Sequence, residues 1–184
     1  GPRPPVVEAF PSGLRTGVAL VLALLVVQAL SGAWVSTNYA VLACTDFPQC
    51  QGSWWPSMDF AKGFEMWRPL GFDAAGNHIS FQALTAIHVT HRLLAMFTLA
   101  ALAFLAWHLG QQDATQKWAR WLGGLAALQL LTGMSNVVLD WPLVAAVLHT
   151  GGAGAMVVVL VSVLCVTYRR VEPVRSSVLE RGLA

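Results

Sequence analysis

The sequence predicts an all-α integral membrane protein, a bundle of four transmembrane helices, and three observations carry that expectation. Of its 184 residues, 56% are hydrophobic and only 11% charged, against about 25% charged in an ordinary soluble domain. Mean hydropathy is +0.60. Apolar runs of membrane-crossing length recur along the chain, continuous and rich in Leu and Ala, without the alternation a barrel strand needs. This composition excludes a collagen, a disordered tail and a disulfide-stapled secreted module. The formal charge of +2 is too small for a nucleic-acid binder, and most basic residues sit beside apolar runs rather than along one polar face.

In chain order, residues 1–13 are a lead-in that opens on Gly1-Pro2-Arg3-Pro4-Pro5, which reads as a chain cut from something longer or processed, with no signal peptide ahead of the first span. The spans are Leu14 to about Tyr39, Leu84 to His108, Trp118 to Leu139, and Leu143 to Tyr168. Each is long enough for a helix to cross the roughly 30 Å hydrocarbon layer. Residues 14–168 therefore form the bundle, and 169–184 a tail. Arg3 and Arg15, then Lys117 and Arg120, then Arg169, Arg170, Arg175 and Arg181 fall on one side of it. By the bias of Lys and Arg toward the cytoplasm, both termini are expected there. The only large connection, about 40–83, then faces outward, and its length calls for a function.

That loop carries Cys44-Thr45-Asp46-Phe47-Pro48-Gln49-Cys50 and then Trp54-Trp55-Pro56. Two cysteines flanking a chain-bending Pro in an oxidising compartment suggest a disulfide, with two free thiols as the alternative. A metal-binding pair is less favoured, because no second pair of Cys or His with zinc spacing follows. The Trp pair reads as an interfacial anchor or as a lid over a cofactor. Cys165 reads as a small packing residue.

Gln28-Ala29-Leu30-Ser31-Gly32 in the first span and Gln129-Leu130-Leu131-Thr132-Gly133 in the third share one pattern. Chance likeness of two Leu-rich helices is the competing account. Taken as a repeat, the pattern makes the bundle two copies of a two-helix unit about an approximate two-fold axis along the membrane normal. Ser31, Gly32, Thr132 and Gly133 would then allow close helix approach, with the two Gln side chains bonding across helices. His91 and His149 fall on equivalent spans, each roughly 10 Å from the outer boundary at 1.5 Å per residue. Ionisable groups at such depth usually face the bundle interior and mark function.

A bare zinc or copper ion would want more ligands than two imidazoles, whereas haem iron needs only two axial nitrogens. Haem also suits an apolar pocket, and Arg92 offers charge for its propionates. Gly151, Gly152 and Gly154 either let a ring approach the backbone or serve a helix contact. The competing account makes His91 and His149 plain hydrogen-bonding interior residues. His88, one turn before His91, is a candidate to support the ligand by hydrogen bonding or to handle a proton, and less readily a ligand itself. His78 and His108 have no equal-depth counterparts and read as interfacial.

The run Ala43 to Cys50, then Ile87-His88-Val89-Thr90-His91-Arg92-Leu93, then Gln129 to Gly133, then Leu148-His149-Thr150-Gly151-Gly152, resembles the haem A synthase family in order and spacing over about Gln28 to Val157. The resemblance implies a membrane oxidoreductase that converts the ring methyl of haem O to the formyl group of haem A. Family members typically join two similar four-helix halves, one for the substrate haem and one holding a haem b. It implies His91 and His149 as axial ligands of the haem iron, with Arg92 also binding the cofactor, and Cys44 with Cys50 as the outer-loop pair. Where the substrate half has a glutamate one turn before its first ligand, this chain has His88. The expectation is thus the haem b half, with haem b as cofactor, haem O as substrate and haem A as product of the whole enzyme.

Expected partners are the lipid bilayer, haem, and a second four-helix half or another copy, with haem O synthase or a quinone as further candidates and no nucleic acid. The expected location is the bacterial inner membrane, with the cysteine loop periplasmic. The main alternative is a four-helix b-type cytochrome that passes electrons to or from quinone and modifies no haem. A disulfide-forming oxidoreductase would relay between two cysteine pairs, and a scaffold bundle would bind no haem.

Overall fold

The computed structural model describes residues 12–168. Most of the lead-in and the whole 169–184 tail, with Arg3, Arg169, Arg170, Arg175 and Arg181 from the orientation argument, lie outside the described residues. The elements are α1 (Ser12–Thr37), a 3-10 turn (Ala40–Ala43), a short α2 (Phe60–Gly63), α3 (Phe81–Gly110), α4 (Gln116–Val138) and α5 (Leu143–Tyr168). Helices α1, α3, α4 and α5 are the four long and apolar enough to cross a membrane. Among the described residues, strand pairing is limited to isolated bridges at Cys50–Ser53 and Phe72–His78.

Local chemistry sets the helix ends. Asn38 Nδ2 donates to the Trp34 carbonyl at 2.9 Å, and Tyr39 turns left-handed at φ 57°, so α1 stops two residues short of the expected Tyr39. Ser80 caps α3 by accepting from the Ala83 N–H at 3.3 Å, so that helix begins three residues before Leu84. At the tight turn into α4, the Thr115 hydroxyl donates to the Leu109 carbonyl at 2.6 Å. Asp140 and Trp141 are both left-handed, at φ 52° and 60°, and Pro142 precedes α5.

Helices α1, α3, α4 and α5 form a closed ring in which each packs on two neighbours. The diagonals are α1 with α4 and α3 with α5, and the backbones of neither diagonal pair approach closely. Near the termini the ring is filled by Leu14, Val18, Leu25, Leu102, Leu105, Leu109, Leu122, Met156, Leu160 and Val163. In lipid such packing works through van der Waals contact rather than water exclusion. Beyond Ala126 the large apolar residues give way to Gln129, Thr132 and the histidines, so the half of the bundle nearest the long loop is polar inside.

The long loop is pinned to one edge of that end. Trp34 Nε1 donates to the Gly63 carbonyl at 2.9 Å, and Arg68 donates to Asn38 Oδ1 at 2.9 Å and to the Phe72 carbonyl at 2.8 Å while lying 5.6 Å from the Trp34 ring centre. Val35, Ala40, Ile79, Ala83 and Ile87 form a small apolar cluster beneath it. Both the 3-10 turn and α2 rest on α3, and neither touches α5.

Candidate functional site

Two histidines on the α3–α5 diagonal are held in matching ways. On α5, His149 Nδ1 lies 2.9 Å from Thr132 Oγ1, and the His149 carbonyl accepts from Gln129 Nε2 at 2.9 Å. On α3, His91 Nδ1 lies 2.8 Å from Ser31 Oγ, and the His91 carbonyl accepts from Gln28 Nε2 at 3.3 Å. A Cβ at Gly133 would meet His149 Cε1 at 3.1 Å, and one at Gly32 would meet His91 Cε1 at the same 3.1 Å. In both places, Gln and Ser or Thr grip the histidine while Gly makes room for its ring. Small residues in this pattern suit close helix approach, but at Gly32 and Gly133 the freed space is occupied by imidazole.

The hydroxyls determine which ring nitrogen carries the proton. A hydroxyl has one hydrogen to give. Thr132 donates it to the Leu128 carbonyl at 2.7 Å, and Ser31 to the Gln28 carbonyl at 2.8 Å, since a carbonyl can only accept. Each hydroxyl oxygen therefore accepts from the facing Nδ1–H, which leaves Nε2 as the nitrogen with a free lone pair. The Gln28 amide nitrogen lies 3.1 Å from His91 Nδ1 and 3.4 Å from Nε2. Such near-equal distances put it over the ring face, because a bond along one lone pair would leave the other nitrogen much farther away. It does not compete for Nε2.

His88 is occupied differently. It is 3% exposed, its Nδ1 donates to the Ala40 carbonyl at 2.9 Å, and its Nε2 accepts from Arg92 Nε at 3.2 Å. Both nitrogens are engaged, so neither is free as a metal ligand. Arg92 also donates through Nη1 to the Gln49 carbonyl at 2.8 Å and through Nη2 to the Cys44 carbonyl at 3.2 Å. Its guanidinium thus holds both ends of the loop that Cys44 and Cys50 close as a disulfide, with an S–S distance of 2.00 Å. Val89 packs on both cysteines, and Gln51 Nε2 donates to Thr85 Oγ1 at 2.8 Å. Within the loop, Asp46 accepts from the backbone N–H groups of Gly52 at 2.8 Å and Gln51 at 2.7 Å. The Gly52 bond first, then the Gln51 bond and the nearby Arg92 charge, holds the Asp46 carboxyl below the usual aspartate range.

Other expected residues stand apart. His78 stacks on Phe72 with centroids 4.8 Å apart, in the loop, and His108 lies in the last turn of α3. Trp54 and Trp55 are exposed. Cys165 is exposed on α5, which corrects its reading as a packed residue. Of the three glycines after His149, Gly152 faces the Gln129 amide, while Gly151 and Gly154 meet nothing within 4 Å. The polar latch of Thr85, Gln51 and Arg92 escaped the sequence reading; the spacing of 85, 88, 89 and 92 on one helical face was the available signal.

Two imidazoles with free Nε2 atoms are short of the ligand count a bare ion wants, and the described residues include no cluster of three or more His, Cys, Asp and Glu. An iron porphyrin brings four nitrogens of its own and needs two more, so this donor set fits it. One further feature suits a bound polar molecule: Asn136 Oδ1, one turn beyond Thr132, is buried without a hydrogen-bond partner among the described residues.

A model of the family described as COX15-CtaA, cytochrome oxidase assembly protein, matches residues 5–162. The chain is similar to "Heme A synthase" of Shewanella oneidensis, 37% identical over 149 residues that make up 77% of this chain and 43% of that protein. It is also similar to "Heme A synthase COX15" of Arabidopsis thaliana, 29% identical over 160 residues, 85% of this chain and 32% of that protein. The chain thus spans less than half the length of these curated relatives, and no solved structure matches it. With the family model covering most of the bundle, the chain belongs to the heme A synthase (COX15-CtaA) family.

Proposed function

We propose that this chain is a haem-binding four-helix half of a haem A synthase, the half that holds a haem b, with His91 and His149 as its axial ligands. The observation that carries the reading is the pairing of Ser31 and Gly32 with His91 and of Thr132 and Gly133 with His149, at nearly equal distances. This pairing also supports a pseudo-two-fold repeat in which α1 corresponds to α4 and α3 to α5, the two diagonals of the ring. Bound there, the iron porphyrin supplies a one-electron couple. The chain's own residues orient the two imidazoles, keep Nε2 unprotonated and exclude water below through the leucine-rich core.

Oxidation of the haem O methyl to the haem A formyl belongs, in this reading, to a whole enzyme completed by a second four-helix half or another copy. His88 stands where an acid was expected in the substrate half, and its nitrogens are taken by Ala40 and Arg92. The same observation favours the second reading, a b-type cytochrome that exchanges electrons with a quinone. The protein resides, on this proposal, in the bacterial inner membrane with the cysteine loop periplasmic and both termini cytoplasmic.

Extracting the pigment of the purified protein and comparing it with haem b, haem O and haem A standards tests the proposal. Haem b is expected, lost in both His91→Ala and His149→Ala. Retention by both variants would exclude the axial pair. Incubating a complete two-half assembly with haem O separates synthase from cytochrome, because only the former yields formyl haem.

A further inference from the structure

Thr85, His88, Val89 and Arg92 fall at i, i+3, i+4 and i+7 of α3 and so form one stripe on the helix. Every one of them engages the cysteine loop or the 3-10 turn leading into it: Thr85 through Gln51, His88 through the Ala40 carbonyl, Val89 against Cys44 and Cys50, and Arg92 through the Cys44 and Gln49 carbonyls. His91 lies beside this stripe and is adjacent to Arg92 in sequence. At the same offsets from His149, α5 carries Leu143, Ala146, Val147 and Thr150, of which Leu143, Val147 and Thr150 are exposed. Among the described residues, the latch is thus a feature of the His91 helix.

Resting on the haem-binding reading above, we propose that Arg92 is a positioning residue whose guanidinium, bridging the Cys44 and Gln49 carbonyls, ties the disulfide-closed loop to the turn of α3 that presents His91. Two carbonyls from the two ends of the loop stay within reach of one planar fork because the disulfide keeps the loop closed. Opening it frees those ends. A dithiol does so by thiolate attack on one cysteine sulfur, breaking the Cys44–Cys50 bond; its second thiol releases the mixed disulfide. The loop gains two electrons and two protons as two thiols, and the reagent becomes its own disulfide. The bridge through Arg92 is then lost, and the α3 turn at His91 relaxes.

The test uses the full chain as purified with its haem. One sample is opened with dithiothreitol, its thiols are blocked with iodoacetamide and the reagents are removed; the other is alkylated without reduction, and mass spectrometry verifies both states. The midpoint potential and low-spin g values are expected to shift between them in the wild type. Arg92→Gln should sit near the opened wild type while its loop is still closed and shift no further on opening. Arg92→Lys keeps the charge but not the fork, and should behave as Arg92→Gln does. Identical wild-type signatures before and after verified opening would overturn the proposal, as would a wild-type response in Arg92→Gln or Arg92→Lys. If Arg92→Gln does not accumulate, the wild-type comparison decides alone. If the purified chain carries no haem, the haem reading fails, and the latch is read from reduction kinetics instead. Dithiothreitol should then open the loop several-fold faster in Arg92→Gln than in wild type, and equal rates would reject the latch.

Discussion

Thr132 and His149 share a 2.9 Å hydrogen bond in which the imidazole is the donor, because the Thr132 hydroxyl hydrogen is already given to the Leu128 carbonyl at 2.7 Å. Ser31 and His91 repeat the relationship at 2.8 Å. Thr132→Val keeps the shape and removes the acceptor. Leaving a buried N–H without a partner costs about 1–3 kcal/mol, and a ligand imidazole that loses its Nδ1–H bond becomes less basic. The haem midpoint potential should therefore rise in Thr132→Val, and likewise in Ser31→Ala, as read by redox titration. Unchanged potentials in both would contradict the assigned tautomer.

The glycines beside the rings give a sharper steric test. A methyl at Gly32 or Gly133 would sit 3.1 Å from a histidine Cε1, closer than ordinary van der Waals contact, and the imidazole must turn or the helices part. Gly32→Ala and Gly133→Ala are expected to lower the haem-to-protein ratio severalfold in a pyridine haemochrome assay. Gly123→Ala and Gly124→Ala are the controls, since a methyl there meets nothing within 4 Å. In a helix interior they should be neutral or stabilising, by up to about 1 kcal/mol. Equal haem content in all four would show that the cradle is not needed.

The four spans were legible because a membrane crossing is written as a continuous apolar run, which needs no tertiary information. Their ends shifted by two or three residues where Asn38, Tyr39 and Ser80 supply caps that an apolar run does not register. Equal depth singled out His91 and His149, and the Gln-x-Leu-Ser/Thr-Gly pattern picked out the stretches whose Ser31, Gly32, Thr132 and Gly133 lie against those two rings. What that pattern was for could not be read from it. A glycine that accommodates a neighbouring helix and one that accommodates an imidazole look alike in one dimension. Arg92 illustrates the same limit: as a cation near a membrane face it suggests propionates, while among the described residues it bonds to His88, Gln49 and Cys44 along a loop path that spacing does not encode.

His88 offers a contrast with the two ring-cradled histidines. Because both of its nitrogens are engaged, replacing it removes a support of the loop rather than a ligand. His88→Leu should leave the low-spin haem spectrum in place while lowering thermal stability. The Ala40 carbonyl would lose one of its donors and Arg92 Nε its acceptor, at about 1–3 kcal/mol for a buried group left unpaired. Loss of haem on this substitution, with His91 and His149 intact, would move His88 into the ligand set.

Asp46 makes the loop's stability depend on pH in a defined direction. The Gly52 and Gln51 N–H bonds and the Arg92 charge hold its folded carboxyl below the ordinary aspartate value, so folding favours the ionised form. Its contribution is fully present above the unfolded value of about 3.9 and is lost as pH falls through the lower folded value. A phosphine reductant, which attacks disulfides without needing a thiolate, reads this directly. At pH 6, Asp46→Asn should open the Cys44–Cys50 bond faster than wild type, because a neutral amide accepts the two N–H bonds less strongly than a carboxylate. As the pH falls below the folded value, wild-type Asp46 becomes neutral as well, and the two rates should converge. A rate ratio that stays constant through this window would mean that the ionised carboxylate does not hold the loop.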